Sequence, residues 1–215
     1  MDFLTVHGLL PREPNLLLPL LDLSNLTSSH SDFYHTQTLK NHQILSLSNS
    51  GKLIHVVEGQ LLQQISNPRQ NKQIINAIWT ETDFIFHNVF QLDCYEYMAL
   101  GHVELEIYDA EIVLKELTKQ PFFPDLLIDA LKRQECQIYR YFHMLTKSVR
   151  ERVIDTIKLL SEEAEEGYYI PKKVNYFLLA KCCQISPHTA KKAMHELELE
   201  NKIIYRKDKT ILLDV

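Results

Sequence analysis

The stretch from Val174 to Ile211 limits what this chain can fold into more than any other segment. Its core, VNYFLLAKCCQISPHTAKKAMHELELENKII, has the pattern helix, tight turn, helix, and a short β-hairpin follows. Leu178, Leu179 and Cys182 are spaced to bury one face of a first helix, and Gln184-Ile185 supplies the turn. Ser186 stands where an N-cap belongs, because its hydroxyl can accept from a free backbone N–H of the next turn. Pro187 follows at the first helical position, where a missing N–H costs nothing. Ala190, Ala193, Met194 and Leu197 give the second helix an inner face, leaving His188, Lys191, Lys192 and His195 on the outer one. A short capped helix with basic and hydrogen-bonding side chains outward has the shape and chemistry to enter a DNA major groove.

Charge distribution points the same way. The chain has 215 residues and a net charge of −5, which does not suit a general nucleic-acid coat. The charge is uneven: residues 1–145 carry 10 basic against 17 acidic side chains, and from Tyr168 onward there are 9 against 5. A basic terminal module on an acidic body suits a DNA reader with a separate sensing or partner-binding part. Arg206, Lys207 and Lys209 form a basic hairpin tip, read as contacting phosphate or the minor groove rather than as a plain solvated turn. Lys172 and Lys173, just ahead of the first helix, are placed to hold flanking backbone in the same way.

The N-terminal segment has no basic leader and is broken by Pro11 and Pro14, and no apolar run approaches the roughly 20 residues that span a bilayer. Four irregularly spaced cysteines, Cys94, Cys136, Cys182 and Cys183, fit a reducing cytoplasm better than a disulfide scaffold. The expectation is a cytoplasmic protein without membrane contact.

Residues 1–30 read as an irregular or short-helical lead-in. From about 33 to 118 the chain reads as short strands: FYHTQTL, HQILSLS, LIHVVEGQLLQQI, KQIINAIW, DFIFHNVF and YEYMALGHVELEIYD. Such spacing predicts an antiparallel roll or sandwich. A long helix is predicted from about Pro124 to Leu145. Leu127, Leu131, Gln134, Ile138, Tyr141 and Leu145 fall at alternating spacings of four and three, a heptad-like seam. That seam either packs on the chain's own roll or joins two copies; the second is expected, because a DNA reader gains a second half-site by dimerising. A break near Thr146-Lys147-Ser148 precedes another helix, Val149 to Glu163, and the acidic run Glu162, Glu163, Glu165 and Glu166 reads as its solvated end.

Roll, long helix and helix-turn-helix in this order resemble the Crp/Fnr family of bacterial transcription regulators. In the roll the resemblance is carried by LKNHQIL, by LIHVVEGQL with its terminal Gly59, and by KQIINAIWTETDF. In the C-terminal part LAKCCQISPHTAKKAMHELELENKII matches nearly position for position, and KTILLD is similar to the last strand of the wing. The resemblance implies an α+β fold: an N-terminal antiparallel β-roll (a cyclic-nucleotide-binding-like jelly roll, 1–118), a long dimerisation helix (119–146) and a C-terminal winged helix-turn-helix (147–215). It also implies double-stranded DNA and a second copy as partners, with RNA polymerase as a further one.

The departures from the family narrow the sensor. Cyclic-nucleotide binders carry Gly and Glu just after Asp-Phe, and an Arg with Ser or Thr some ten residues on. Here Asp83-Phe84 are followed by Ile85 and Phe86, and Glu96-Tyr97-Met98-Ala99 stands where the Arg stretch belongs. A carboxylate facing a cyclic phosphate repels it, so no cyclic nucleotide is expected. The iron–sulfur branch uses N-terminal cysteines, and none precedes Cys94. On the recognition helix Pro187, His188 and Lys192 stand where relatives carry Arg, Glu and Arg; Ser186 and Thr189 match the family and are expected to touch phosphate or to cap. The pattern is similar to the divergent PrfA-like branch, which implies a small-molecule effector, glutathione-like or of another kind, or none.

Other chemistry finds little purchase. His35, His42, His55, His87 and His102 stand alone in sequence without the HxH signature of metal-binding rolls, and adjacent Cys182-Cys183 have the wrong geometry for a clamp. No GxSxG, P-loop, GxGxxG or HExxH occurs. The chain is therefore expected to be neither an enzyme nor a holder of a cofactor or metal. An alternative from a different class is an interaction protein that keeps the fold, has lost DNA binding and acts through its acidic roll.

Overall fold

The structure, a computed structural model, describes residues 34–67, 72–89, 95–119, 123–172, 174–206 and 209–213. The lead-in over 1–30, Cys94 and Lys207 lie outside them.

Eight strands form the N-terminal half: β1 (Tyr34–Leu39), β2 (Ile44–Leu45), β3 (Lys52–Glu58), β4 (Gln60–Asn67), β5 (Lys72–Thr80), β6 (Phe84–His87), β7 (Tyr95–Ala99) and β8 (Val103–Asp109). They make two antiparallel four-stranded sheets, ordered β1-β8-β3-β6 and β2-β7-β4-β5. Two runs that read as single strands in the sequence are each divided between the sheets. Gly59 (φ 90°) turns the chain from β3 into β4, and Gly101 (φ 87°) turns it from β7 into β8. Both positions lie in the left-handed region that glycine enters without a Cβ penalty.

The space between the sheets is filled. Ile54, Trp79, Ile85, Tyr97, Leu105 and Ile107 are each 1% exposed or less and belong to one cluster. Its polar groups pair locally in part: the indole N–H of Trp79 donates to Gln63 Oε1 at 2.9 Å, and the Tyr97 hydroxyl lies 3.4 Å from His87 Nδ1. Glu96 is not part of this interior, contrary to the phosphate-repelling role expected of it. Side chains alternate along a strand, and Tyr97 takes the inward position. Glu96 faces out and accepts from Gln64 Nε2 at 3.1 Å.

Helix α1 (Ala110–Leu117), capped by Asp109, leads to α2 (Phe123–Thr146). A capping box at Ser148 and Glu151 starts α3 (Val149–Leu160). The predicted extension of α3 to Glu163 does not occur. The helix stops at Leu160, Ser161 is extended, and the acidic run becomes a hairpin of β9 (Glu162–Ala164) and β10 (Gly167–Ile170). Gly167 (φ 140°) closes that hairpin, and β10 pairs with the wing, giving a sheet ordered β11-β12-β10-β9. Helix α4 (Tyr176–Cys183), helix α5 (Pro187–Leu199), β11 (Ile203–Arg206) and β12 (Lys209–Leu213) complete the chain.

A second core joins these parts. Leu62, Ile75 and Met98 on the outer face of the β2-β7-β4-β5 sheet meet Tyr141 and Met144 of α2, Val153 and Ile157 of α3, and Leu178 and Leu179 of α4. Three polar contacts fix the register. Gln60 Nε2 donates to Leu159 O at 3.3 Å, Lys181 Nζ donates to Gln64 Oε1 at 2.9 Å, and Gln137 Nε2 donates to Asp83 at 3.2 Å. Both cysteines of the Cys182-Cys183 pair are buried in this core, and burial pushes their thiols up, so neither is an exposed nucleophile.

Tyr141 donates its hydroxyl to the Cys182 carbonyl, and burial pushes its phenol up, so the donor proton stays in place. A Tyr141→Phe chain keeps the ring and orphans a buried carbonyl. It is expected to lose about 1–2 kcal/mol in urea unfolding with an unchanged far-UV spectrum. An unshifted midpoint would contradict this packing.

Candidate nucleic-acid interface

The helix-turn-helix forms as the sequence predicts. Asn175 caps α4 by accepting from Phe177 N and Leu178 N, each at 3.0 Å. Gln184 (φ 53°) makes the turn in the left-handed region. Ser186 Oγ accepts from Thr189 N at 3.0 Å and lies 2.8 Å from Thr189 Oγ1. Of the two roles expected for Ser186 and Thr189, the structure shows the cap. Ala190, Ala193 and Leu197 are buried against α3 and α4, and Met194 is half-buried.

The exposed face of α5 carries the expected side chains. His188, Lys191, Lys192 and His195 all point to solvent. Lys192 lies 3.8 Å from Glu196 and keeps a side chain 71% exposed, so it is loosely held; such surface pairs contribute little. His195 Nδ1 lies 3.3 Å from Glu198. The helix is therefore basic in its first turns and acidic in its last, which aims the positive potential at its N-terminal end, where the helix dipole adds to it.

Beside α5 runs a groove of about 570 Å³, walled by Lys191 and His195 on the helix and by Tyr205 and Arg206 on the wing. Lys172 and Tyr176 close its other side. Arg206 donates to Glu166 on the β9–β10 hairpin at 2.5 Å, an acidic neighbour that the helical reading of that run hid. Tyr176 and Tyr205 were not singled out in the sequence; they are 39% and 58% exposed, and only their position beside the basic helix marks them. Lys209 pairs with Arg206 in the wing backbone, while its side chain, Lys207 and Lys173 lie outside the described residues.

The predicted seam on α2 does not form one surface. Tyr141 is 4% exposed and belongs to the chain's own core, and Leu145 packs against the same core. Leu127, Gln134 and Ile138 are half-buried. Only Leu131 lies in an exposed apolar stripe, with Ile128, Tyr139 and Phe142, at exposures of 40, 50, 66 and 64%. At 100° per residue these four share a face turned roughly a third of a turn from Tyr141. Helix α2 has two apolar faces; the spacing reading took the inner flank.

On the roll surface Glu58, His102 and Glu104 bring ligand atoms within 4.8 Å of one another. All three are exposed, so the trio reads as a solvated corner rather than a built metal site. Among the described residues no helix is long and apolar enough to cross a membrane.

Neither a protein-family model nor a curated protein sequence matches the chain. Solved structures do match in shape. A cyclic nucleotide-binding domain containing protein from Listeria monocytogenes is 16% identical, with a TM-score of 0.72, over 92% of this chain and 99% of its own. FixK2 from Bradyrhizobium japonicum is 10% identical, with a TM-score of 0.70, over 85% and 93%. A Crp-family transcriptional regulator from Thermus thermophilus is 15% identical, with a TM-score of 0.66, over 83% and 92%. The fold is therefore that of the Crp/Fnr regulators: a β-roll, a long helix and a helical C-terminal region with a wing.

Proposed function

We propose that the chain is a transcription regulator that binds double-stranded DNA as a homodimer, reading a near-palindromic site whose half-sites lie about one helical turn apart. The observation that carries this is the exposed basic start of α5, held by the Ser186 cap and flanked by the wing groove. His188, Lys191, Lys192 and His195 face the bases or phosphates, and Arg206, with Lys207 and Lys209, the backbone beside them. The Crp-family regulator from Thermus thermophilus, similar in fold, supports the class. Boundaries at 1–118, 119–146 and 147–215 divide the chain into a sensing or bracing roll, a dimerising helix and the DNA-binding part. Contact with RNA polymerase follows from the same class.

Dimerisation is assigned to the exposed stripe of Ile128, Leu131, Tyr139 and Phe142 rather than to the inner flank. Four large apolar side chains along one helix face make the kind of patch that soluble monomers seldom leave open. A Leu131→Glu and Phe142→Glu double variant is expected to sediment as a monomer while melting as one cooperative unit, whereas the wild type sediments as a dimer. A wild-type monomer at micromolar concentration would contradict the assignment.

Binding itself is tested by fluorescence anisotropy with a mixed-sequence duplex across a salt series. Affinity is expected to fall linearly on logarithmic axes as salt rises. No binding even at low salt would remove DNA from the proposal.

A further inference from the structure

The groove of about 570 Å³ between α5 and the wing is edged by aromatic rings as well as by cations. Tyr176 of α4 and Tyr205 of β11 both line it, and both are open to solvent. Phe177, 60% exposed, lies against Tyr176 with ring centroids 4.3 Å apart, so the two make one aromatic ledge at the start of α4. The floor is apolar, made by Ile170, Val174 and Met194. Lys172 and Lys191 stand at the sides, and both are exposed. Arg206 is held on the wing by Glu166. Glu198 is the one carboxylate among the described lining residues, and it faces His195 at 3.3 Å.

We propose that this groove binds single-stranded nucleic acid, an unpaired base stacking on Tyr205 or on the Tyr176–Phe177 ledge while Lys172 and Lys191 meet the phosphates. A duplex keeps its base faces stacked inside and presents phosphates, sugars and base edges to a protein. It therefore offers no base face to an exposed ring. An unpaired strand does: every base has a π-face, and its stacking on an aromatic side chain tolerates any sequence. A basic groove that tracks the backbone beside such rings is the usual construction of a single-strand site. The volume suits a body the size of a small organic molecule, and the apolar floor receives the edge of a base or its sugar. Lys191, His195 and Arg206 also belong to the surface assigned above to the duplex, so a strand and a duplex compete here, and the aromatic rings are what separates the two activities. Binding of a strand does not rest on the duplex reading.

The test is fluorescence anisotropy of the purified protein with three short labelled strands of equal length: an oligothymidylate, an oligouridylate and an abasic strand with the same phosphates. At least one base-bearing strand is expected to bind saturably and about tenfold or more tightly than the abasic one; the two base-bearing arms tell DNA from RNA. A Tyr176→Ala and Tyr205→Ala double variant is expected to lose about tenfold or more in strand affinity, with its melting temperature and its affinity for duplex little changed. The matching Tyr→Phe double variant, which keeps both rings, is expected to bind the strand as the wild type does. A bromouracil-bearing strand, cross-linked by light to the wild type, is expected to mark the peptide of Tyr176 or of Tyr205. No saturable binding of either base-bearing strand overturns the proposal. So does an abasic strand that binds equally well, a double alanine variant with unchanged strand affinity, or cross-links confined to other peptides. Equal losses for strand and duplex would place the rings in the duplex contact and overturn it too. Duplex binding without strand binding removes this inference alone, and strand binding without duplex binding removes the regulator alone.

Discussion

A Gly59→Val chain is expected to melt about 10 °C below the wild type. Gly59 has a φ of 90°, and a Cβ placed there would stand 2.3 Å from the His102 carbonyl oxygen and 3.1 Å from Val103 Cα. Those neighbours are backbone, so they cannot swing aside as a flexible side chain would. A β-branched residue in the left-handed region costs about 1–3 kcal/mol, and overpacking adds a similar amount. A total near 4 kcal/mol is a large part of the stability of an ordinary domain, and at this chain length each kcal/mol is worth roughly 2–4 °C. Gly51→Ala is the control. Its Cβ would meet Asn88 O at 3.3 Å with no positive φ, and its melting temperature is expected to move by a degree or two. Equal melting of the two variants would contradict the β3–β4 corner.

Replacing both Lys191 and Lys192 with alanine is expected to weaken duplex binding by two orders of magnitude or more at moderate salt, with the fold intact. Each lysine that meets a phosphate or a guanine edge is worth about 1–3 kcal/mol, and removing a lysine that neutralises one phosphate reduces the salt slope by about one. Both side chains are exposed and outside the core, and alanine favours a helix, so melting should be unchanged. The change in slope is informative because it separates phosphate neutralisation from base reading. Unchanged affinity and slope would remove α5 as the reading element.

The helix-turn-helix was legible because its determinants are local. Ser186 and Pro187 punctuate it, and Ala190, Ala193 and Leu197 mark its inner face, so a cap and a period place the second helix. The long helix was legible as a helix and not as a surface. Its sequence carries one apolar stripe for the chain's own sheet and another left open, and periodicity alone does not say which neighbour each meets. Tyr141 therefore read as a seam residue, although it serves a carbonyl in α4. The acidic run from Glu162 to Glu166 read as a helix end because strand partners distant in sequence, here β12, leave no local mark. Glu96 was misplaced for a related reason: the family pattern gave its position in the chain, while strand alternation decides the face, and it handed the interior to Tyr97. Tyr176 and Tyr205 gave no signal at all, since a single exposed aromatic beside a basic helix is visible only when the wing is folded against it.

We propose that this chain reads DNA as a symmetric pair. The most direct test is selection of bound duplexes from fragmented genomic DNA by the purified protein at near-physiological salt. It is run with and without a small-molecule extract of the cell, and beside the Lys191→Ala and Lys192→Ala double variant. Enrichment of one motif with two-fold symmetry, half-sites about one helical turn apart, in at least one wild-type arm and lost in the variant, is the expected result. No enriched motif in either arm, or the same motif recovered by the variant, would contradict it.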